Sequence, residues 1–98
     1  DASGQYFLAR YMEVSNKDNN IPLQIHTLNN YQLSATQGHI LAQFRLGEMH
    51  LYGTGVEKSL KNAALWLNLV RNNITKDKNT KKQAKKLWEE YKLSDYDF

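Results

Sequence analysis

With 98 residues, the chain is long enough for one hydrophobic core, and a second domain is not expected. Its apolar residues, 41% of the total, include no run near the ~20 that a membrane helix requires, and the lack of cysteine excludes disulfide bonds and thiolate metal sites. Thirteen basic residues against ten acidic ones give a net charge of +3, yet residues 76–86 alone hold six lysines and one aspartate, so the rest of the chain is close to neutral.

The first third of the chain predicts two helices separated by a polar loop. The first helix is expected over residues 4–14, and the Asn and Asp residues of 15–20 favour a turn. Pro22 suits the first turn of the second helix, where its missing N–H costs nothing. Gly38 is expected to end this helix in the left-handed conformation. The stripe that would face the core consists of Ile25, Leu28, Tyr31 and Ala35.

The middle third predicts a pair of helices. The third helix is expected over Ile40–Tyr52 and ends at Gly53, and Ser59 is expected to be the N-cap of the fourth. The inward face of the fourth helix consists of Leu60, Ala63, Ala64, Leu67 and Val70. Small residues are expected where the helices touch, because bulk there would push them apart. They are Ala42, Gly47, Ala63 and Ala64.

The last third predicts a fifth helix that covers the fourth. Thr80 and Gln83 have the spacing of a capping box, which would make Thr80 the N-cap. The apolar face, opposite the lysines, consists of Ala84, Leu87, Trp88 and Tyr91. Trp66 and Trp88 are expected to be the large anchors of the core. Residues 93–98 are expected to be frayed or loosely docked.

Self-similarity within the sequence also predicts an internal repeat. An offset of 36 residues aligns the fourth helix with the second. The aligned pairs are Thr27 with Ala63, Tyr31 with Leu67, and Ser34 with Val70. The first and third helices align less well, since Ala9 meets Ala42 at an offset of 33.

Residues 35–70 resemble one full unit of a Sel1-like repeat, a helix-turn-helix family related to tetratricopeptide repeats. The resemblance rests on small and apolar residues at the spacing of the family. They are Ala35, Gly38, His39, Ala42, Phe44, Leu46, Gly47, Gly53, Gly55, Val56, Ala63 and Trp66. It implies an all-α fold, a short right-handed solenoid of two Sel1-like repeats. Residues 1–37 would form a degenerate repeat, 38–74 a well-matched one, and 75–98 a capping helix and tail.

The resemblance also implies a function. Sel1-like proteins act as scaffolds, so we expect a non-catalytic interaction module, whether adaptor, regulator or inhibitor, that binds another protein or peptide, needs no cofactor and is monomeric alone. One alternative is an immunity protein that neutralises a secreted bacterial toxin, and another is a structural piece of a longer solenoid. A start at Asp1 without an initiator Met is expected of a processed or trimmed chain. Because such proteins are often exported in bacteria, the resemblance favours the periplasm or a secreted location over the cytoplasm.

The candidate binding site lies on the third helix, because in related helical-repeat folds the first helix of each unit lines the concave surface. At 100° per residue this helix is apolar on two faces, one of them formed by Ala42, Leu46 and Met49. The candidate partner-binding residues lie on the other face and are Leu41, Phe44, Arg45, Glu48, Leu51 and Tyr52. Arg45, Glu48 and Tyr52 are expected to be the exposed members. Burial of this second face by neighbouring helices is the alternative.

Few residues suit catalysis. The histidines are His26, His39 and His50, and about 16 Å separates the last two along one helix, too far to share a metal ion. His39 is expected to have a structural role at the repeat turn, and His50 a partly buried packing role. Neither H-E-x-x-H nor G-x-S-x-G occurs. No enzymatic activity, catalytic residue or metal site is therefore expected, and a cell-envelope hydrolase is the less favoured alternative.

The lysines of residues 76–86 predict a solvated helix face. They are accompanied by no arginine and no interleaved aromatic residue that could stack on a base. Nucleic-acid binding is the alternative interpretation of this segment, and neither it nor membrane insertion is expected.

Overall fold

Five α-helices and a terminal 3₁₀ turn make up the computed structural model, which describes residues 1–18, 25–74 and 77–96. The helices are α1 (Ala2–Asp18), α2 (Ile25–Thr36), α3 (Ile40–Tyr52), α4 (Leu60–Arg71) and α5 (Lys78–Glu90), and the 3₁₀ turn spans Leu93–Tyr96. No strand occurs in these three ranges. The predicted all-α class is confirmed.

Each helix packs mainly on its neighbour in sequence. α1 lies against α2, α2 against α3, α3 against α4, and α4 against both α5 and the 3₁₀ turn, with a smaller contact between α3 and α5. The molecule measures 36 × 27 × 20 Å, and its Cα radius of gyration of 13.0 Å is that of a compact chain of this length.

Residues aligned by the 36-residue offset have the same environment. All three aligned pairs of α2 and α4 are buried completely: Thr27 with Ala63, Tyr31 with Leu67, and Ser34 with Val70. Ala9 of α1 and Ala42 of α3 are likewise inaccessible to solvent. The two helix pairs therefore use equivalent positions for their cores, which is a repeat-like arrangement.

The core forms two clusters, one on each side of α3. Ala42, Leu46 and Met49 of α3 belong to the cluster shared with α1 and α2. Ile40 and Leu51 belong to the cluster shared with α4, α5 and the 3₁₀ turn. The first apolar face of α3 is thus buried completely, and the second is buried only in part, since Leu51 is in the core while Tyr52 is exposed.

Gly47 lets α3 approach α4 closely. A Cβ at this position would lie 2.6 Å from Cδ2 and 2.7 Å from Cγ of Leu67, which is itself completely buried. The expectation that small residues lie where the helices touch is therefore confirmed at Gly47, and also at the buried Ala42, Ala63 and Ala64.

We expect Gly47→Ala to lower the free energy of unfolding by about 1–3 kcal/mol, since overpacking outweighs the ~1 kcal/mol that alanine contributes to helix propensity. Urea denaturation measures the change. In a Leu67→Ala background, where the clash is gone, the same Gly47→Ala substitution should instead stabilise the protein. A loss of stability in both backgrounds would contradict the close contact between α3 and α4.

The predicted helix boundaries are confirmed around α3 and at the start of α4. Gly38 has φ +90°, and beyond α2 the His39 N–H donates to the Ser34 carbonyl at 3.2 Å, as in a Schellman motif. Gly53 ends α3 with φ 72°, the left-handed conformation that favours glycine. Ser59 is the N-cap of α4, and its hydroxyl accepts from the Asn62 N–H at 3.1 Å.

Two predicted boundaries are wrong. α1 continues through residues 15–18, predicted as a loop, where Lys17 in the last turn complements the helix dipole. α5 starts at Lys78, not Thr80, because Asp77 is the stronger N-cap. Its carboxylate accepts from the N–H of Thr80 at 3.0 Å and from its hydroxyl at 2.7 Å. The predicted loop at 19–20 and Pro22 lie outside the described residues.

The chain after α5 is docked, not frayed. Leu93 is completely buried in the cluster of α3, α4 and α5, so the expectation of a loose tail is wrong for Leu93–Tyr96. Residues 97–98 lie outside the described ranges. Of the two predicted aromatic anchors, Trp88 is buried in this cluster, whereas Trp66 only covers the other cluster and is half-buried.

Candidate functional site

The six candidate residues of α3 differ widely in exposure. Tyr52 is exposed at the end of the helix, and Leu51 beside it is buried in the core. Leu41 and Phe44 are half-buried and pack against the α3, α4 and α5 cluster. The candidate surface is therefore smaller than the sequence predicted, and Leu51 is not part of it.

An aromatic pair forms at the exposed end of this surface. The rings of Tyr52 on α3 and Tyr91 after α5 meet edge to face, with 6.2 Å between their centroids. Partial burial and the adjacent Tyr91 raise the pKa of the Tyr52 hydroxyl, so the Tyr52 phenol is a neutral hydrogen-bonding group at physiological pH. The sequence placed Tyr91 on the apolar face of α5 and did not connect it with the site.

Arg45 is bound within the molecule. Its Nε donates to Oε1 of Glu13 on α1 at 2.9 Å, and its Nη2 donates to Oε2 of the same carboxylate. The Tyr31 hydroxyl of α2 donates to Oε1 at 2.6 Å, and Arg10 Nη1 donates to it at 3.0 Å. Glu13 thus receives four hydrogen bonds from three helices, and these four residues make up what we call the Glu13 cluster.

Burial and hydrogen bonding shift the pKa values of the acids near Arg45 in opposite directions. Burial alone raises the pKa of the Glu13 carboxyl, but the hydrogen bonds from Arg45 and Tyr31 outweigh it and hold that pKa below its usual value. Burial raises the pKa of Glu48, whose carboxylate lies 3.8 Å from Arg45 Nη1, a distance too long to offset the loss of hydration. Tyr31 has a raised pKa because of burial and its bond to Glu13.

The Glu13 cluster connects α1, α2 and α3 and has a structural role. The expectation of an exposed Arg45 is wrong, because its guanidinium is held by a carboxylate on another helix. Sequence reasoning missed Glu13 because its partner lies 32 residues away and no local spacing connects the two. Opposite charges on two helices of an all-α chain were the only available signal.

Two of the histidines lie at the edges of the packed helices. His39 precedes α3 and stacks on Tyr6 with 4.9 Å between ring centroids, and burial lowers its pKa. The Nδ1 atoms of His39 and His50 are buried. Among the residues whose positions are described, no three His, Cys, Asp or Glu side chains are grouped so as to hold a metal ion.

The lysines of α5 lie mostly on its solvent side. Lys78, Lys82, Lys85 and Lys86 are exposed, whereas Lys81 is half-buried and donates to the Asn73 carbonyl. Lys76 lies outside the described residues. None of the helices seen in the structure is long and apolar enough to cross a membrane.

Comparisons of the chain with protein-family models, with curated proteins and with solved structures gave no match. The Sel1-like resemblance of residues 35–70 therefore stays a prediction from the sequence.

Proposed function

We propose that this protein is a non-catalytic interaction module that binds another protein or peptide where α3 meets the end of α5. The observation that carries the proposal is the aromatic pair of Tyr52 and Tyr91, an exposed ring supported by a second, half-buried one. Tyrosine is enriched in protein interfaces because it offers a large, stiff apolar surface with a hydrogen-bonding tip.

We also propose a fold-level setting for this surface. α1 with α2 and α3 with α4 are taken as two Sel1-like pairs of a short right-handed solenoid, and α5 as its cap. The equal burial of the pairs related by 36 residues supports the repeat. The lysine-covered outer side of α5 supports the cap, since a terminal element of a solenoid needs a polar outer face.

The charged residues of α3 contribute little to recognition at this surface. Arg45 is neutralised by Glu13, and Glu48 is half-buried with a raised pKa. The other candidate residues of α3 are apolar or aromatic, with Leu41 continuing the surface along α3, and at the end of α5 Glu90 is an exposed charge near Tyr52. The partner is therefore expected to present an apolar side chain and a hydrogen-bonding group to the tyrosine pair.

The experiment is site-specific photo-crosslinking followed by affinity measurement. A photoreactive amino acid at position 52 should capture a partner in cells, whereas the same group at position 74 should not, because the fully exposed Ile74 follows Asn73, which contacts the end of α3 opposite to Tyr52. With that partner purified, Tyr52→Ala should weaken binding about 10-fold or more while the circular dichroism spectrum stays unchanged.

The control is the basic face of α5. Replacing Lys82, Lys85 and Lys86 together by Gln should change the affinity only a few-fold, because exposed charges are screened beyond about 8 Å at physiological salt. If the triple variant lost binding and Tyr52→Ala kept it, the partner would bind the lysines and the proposed surface would be wrong.

A further inference from the structure

α1 has a second apolar face that the described helices leave largely exposed. Phe7, Leu8, Tyr11 and Val14 are exposed by 62%, 50%, 73% and 46%. Positions 7, 11 and 14 follow the spacing of one helix face, and the completely buried Ala9 marks the opposite side. We call these four residues the outer α1 face. Four large apolar residues on one face are a patch, unlike the single exposed side chains that occur on any protein.

The area of this patch is close to that of the apolar part of one side of a dimer interface. Phe7 and Tyr11 alone leave about 270 Å² uncovered, given a surface of about 200 Å² for an aromatic residue. Leu8 and Val14 bring the apolar total to about 400 Å², near the largest patches found on monomers. A standard interface buries about 800 Å² on each partner, of which somewhat more than half is apolar, so the patch could supply most of that apolar part.

The charges around the patch favour contact with an identical surface. Arg10 and Glu13 are the only charged residues between positions 3 and 15, and they bind each other. Glu13 also binds Arg45, so the three charges do not sum to zero, but Arg10 keeps its carboxylate partner when two outer α1 faces meet. Two copies meeting through α5 would instead bring exposed lysines together.

We propose that the outer α1 face binds the same face of a second copy, in an antiparallel helix pair with its twofold axis at Tyr11. This register places Leu8 opposite Val14 of the other copy, and the large Phe7 opposite the small Ser15. The contact is isologous, so it closes at two copies and does not propagate. It replaces the monomer expected from the sequence, and it leaves the Tyr52 surface of both copies outside the interface.

The test is sedimentation of the full 98-residue chain from about 1 to about 200 µM, a range that brackets micromolar dimers. The parent should shift from monomer to dimer within it. Tyr11→Glu should raise the dimer dissociation constant on the order of 100-fold, because it brings two carboxylates together at the axis. Leu65→Glu, at a similarly exposed position on α4, is the matched control and should dimerise like the parent.

Circular dichroism verifies that both variants keep the parent helicity, as expected for exposed positions. A parent that stays monomeric at the highest concentration would overturn the proposal and leave the outer α1 face to a different protein. A dimer that survives Tyr11→Glu, or that Leu65→Glu dissociates, would also overturn it. None of these results bears on capture of a partner at position 52, so the two proposals fail separately.

Discussion

Replacing Trp88 by alanine is expected to lower the free energy of unfolding by about 3–5 kcal/mol, the usual cost of emptying a large aromatic site in a core. Trp88 is 7% exposed and fills the cluster formed by α3, α4 and α5. The Arg71 guanidinium lies 4.4 Å from its ring centroid, so the substitution also removes a cation–π contact between α4 and α5. Urea denaturation followed by circular dichroism measures the loss.

Trp66→Ala is the matched control for this prediction. Trp66 is half-buried at the edge of the other cluster, so its loss should cost about 1–2 kcal/mol. Equal losses for the two variants would contradict the difference in burial between the two indoles, and a larger loss for Trp66 would make it, and not Trp88, the main aromatic anchor of the fold.

Replacing Glu13 by glutamine should be almost as damaging, at about 3 kcal/mol near neutral pH. The side chains of Glu13 and Arg45 are only 11% and 17% exposed, so the substitution leaves a guanidinium largely desolvated without its counter-ion. It also weakens the bonds that Tyr31 and Arg10 donate to the same carboxylate. In the double variant with Arg45→Met, where the desolvated Arg45 guanidinium is removed together with its counter-ion, the loss should be smaller than the sum of the single losses.

The pH dependence of stability provides a second measurement of the Glu13 cluster. The pKa of Glu13 is lower in the folded protein than the usual value near 4.3, so its contribution is complete above that pH and is lost as the pH falls through the folded pKa. The difference in stability between the parent and Glu13→Gln should therefore shrink on acidification. A difference that stays constant between neutral and acid pH would show that the carboxylate charge is irrelevant.

Glu48→Gln is the control, because the pKa of Glu48 is raised in the folded protein whereas that of Glu13 is lowered. Burial raises the pKa of Glu48, so its ionised form costs stability at neutral pH, and the substitution should be neutral or slightly stabilising there. The two acids lie near the same arginine and differ mainly in hydrogen bonding. A marked loss of stability in Glu48→Gln would mean that the 3.8 Å contact with Arg45 matters more than burial does.

Local chemistry made much of the fold predictable. Gly38, Gly53 and Ser59 each determine a helix end through their own backbone or hydroxyl, and all three were placed correctly. The same reasoning failed at α5, where two N-cap candidates stood three residues apart and Asp77 was overlooked in favour of Thr80. Local reasoning also failed at the tail, because the burial of Leu93 depends on the position of α4, and no local sequence pattern specifies that position.

The candidate site was less predictable, since exposure is a property of the assembled helices. Leu51 and Tyr52 are adjacent in sequence, yet one is in the core and the other is exposed. Arg45 has the charge and position of an interface anchor, but a carboxylate on α1 holds it. The outer face of α1 escaped notice because both sides of that helix carry apolar residues, and only packing reveals which side is covered.

The neighbour-to-neighbour packing of the helices also has a kinetic consequence. Because nearly every helix contact joins elements adjacent in the chain, the entropy lost on closing loops during folding is small. Helical chains of such low contact order fold on the order of milliseconds or faster. The bonds from Arg45 to Glu13 and from Asn73 to the Gly38 carbonyl span 32 and 35 residues, so they close long loops and we expect them to form late in folding.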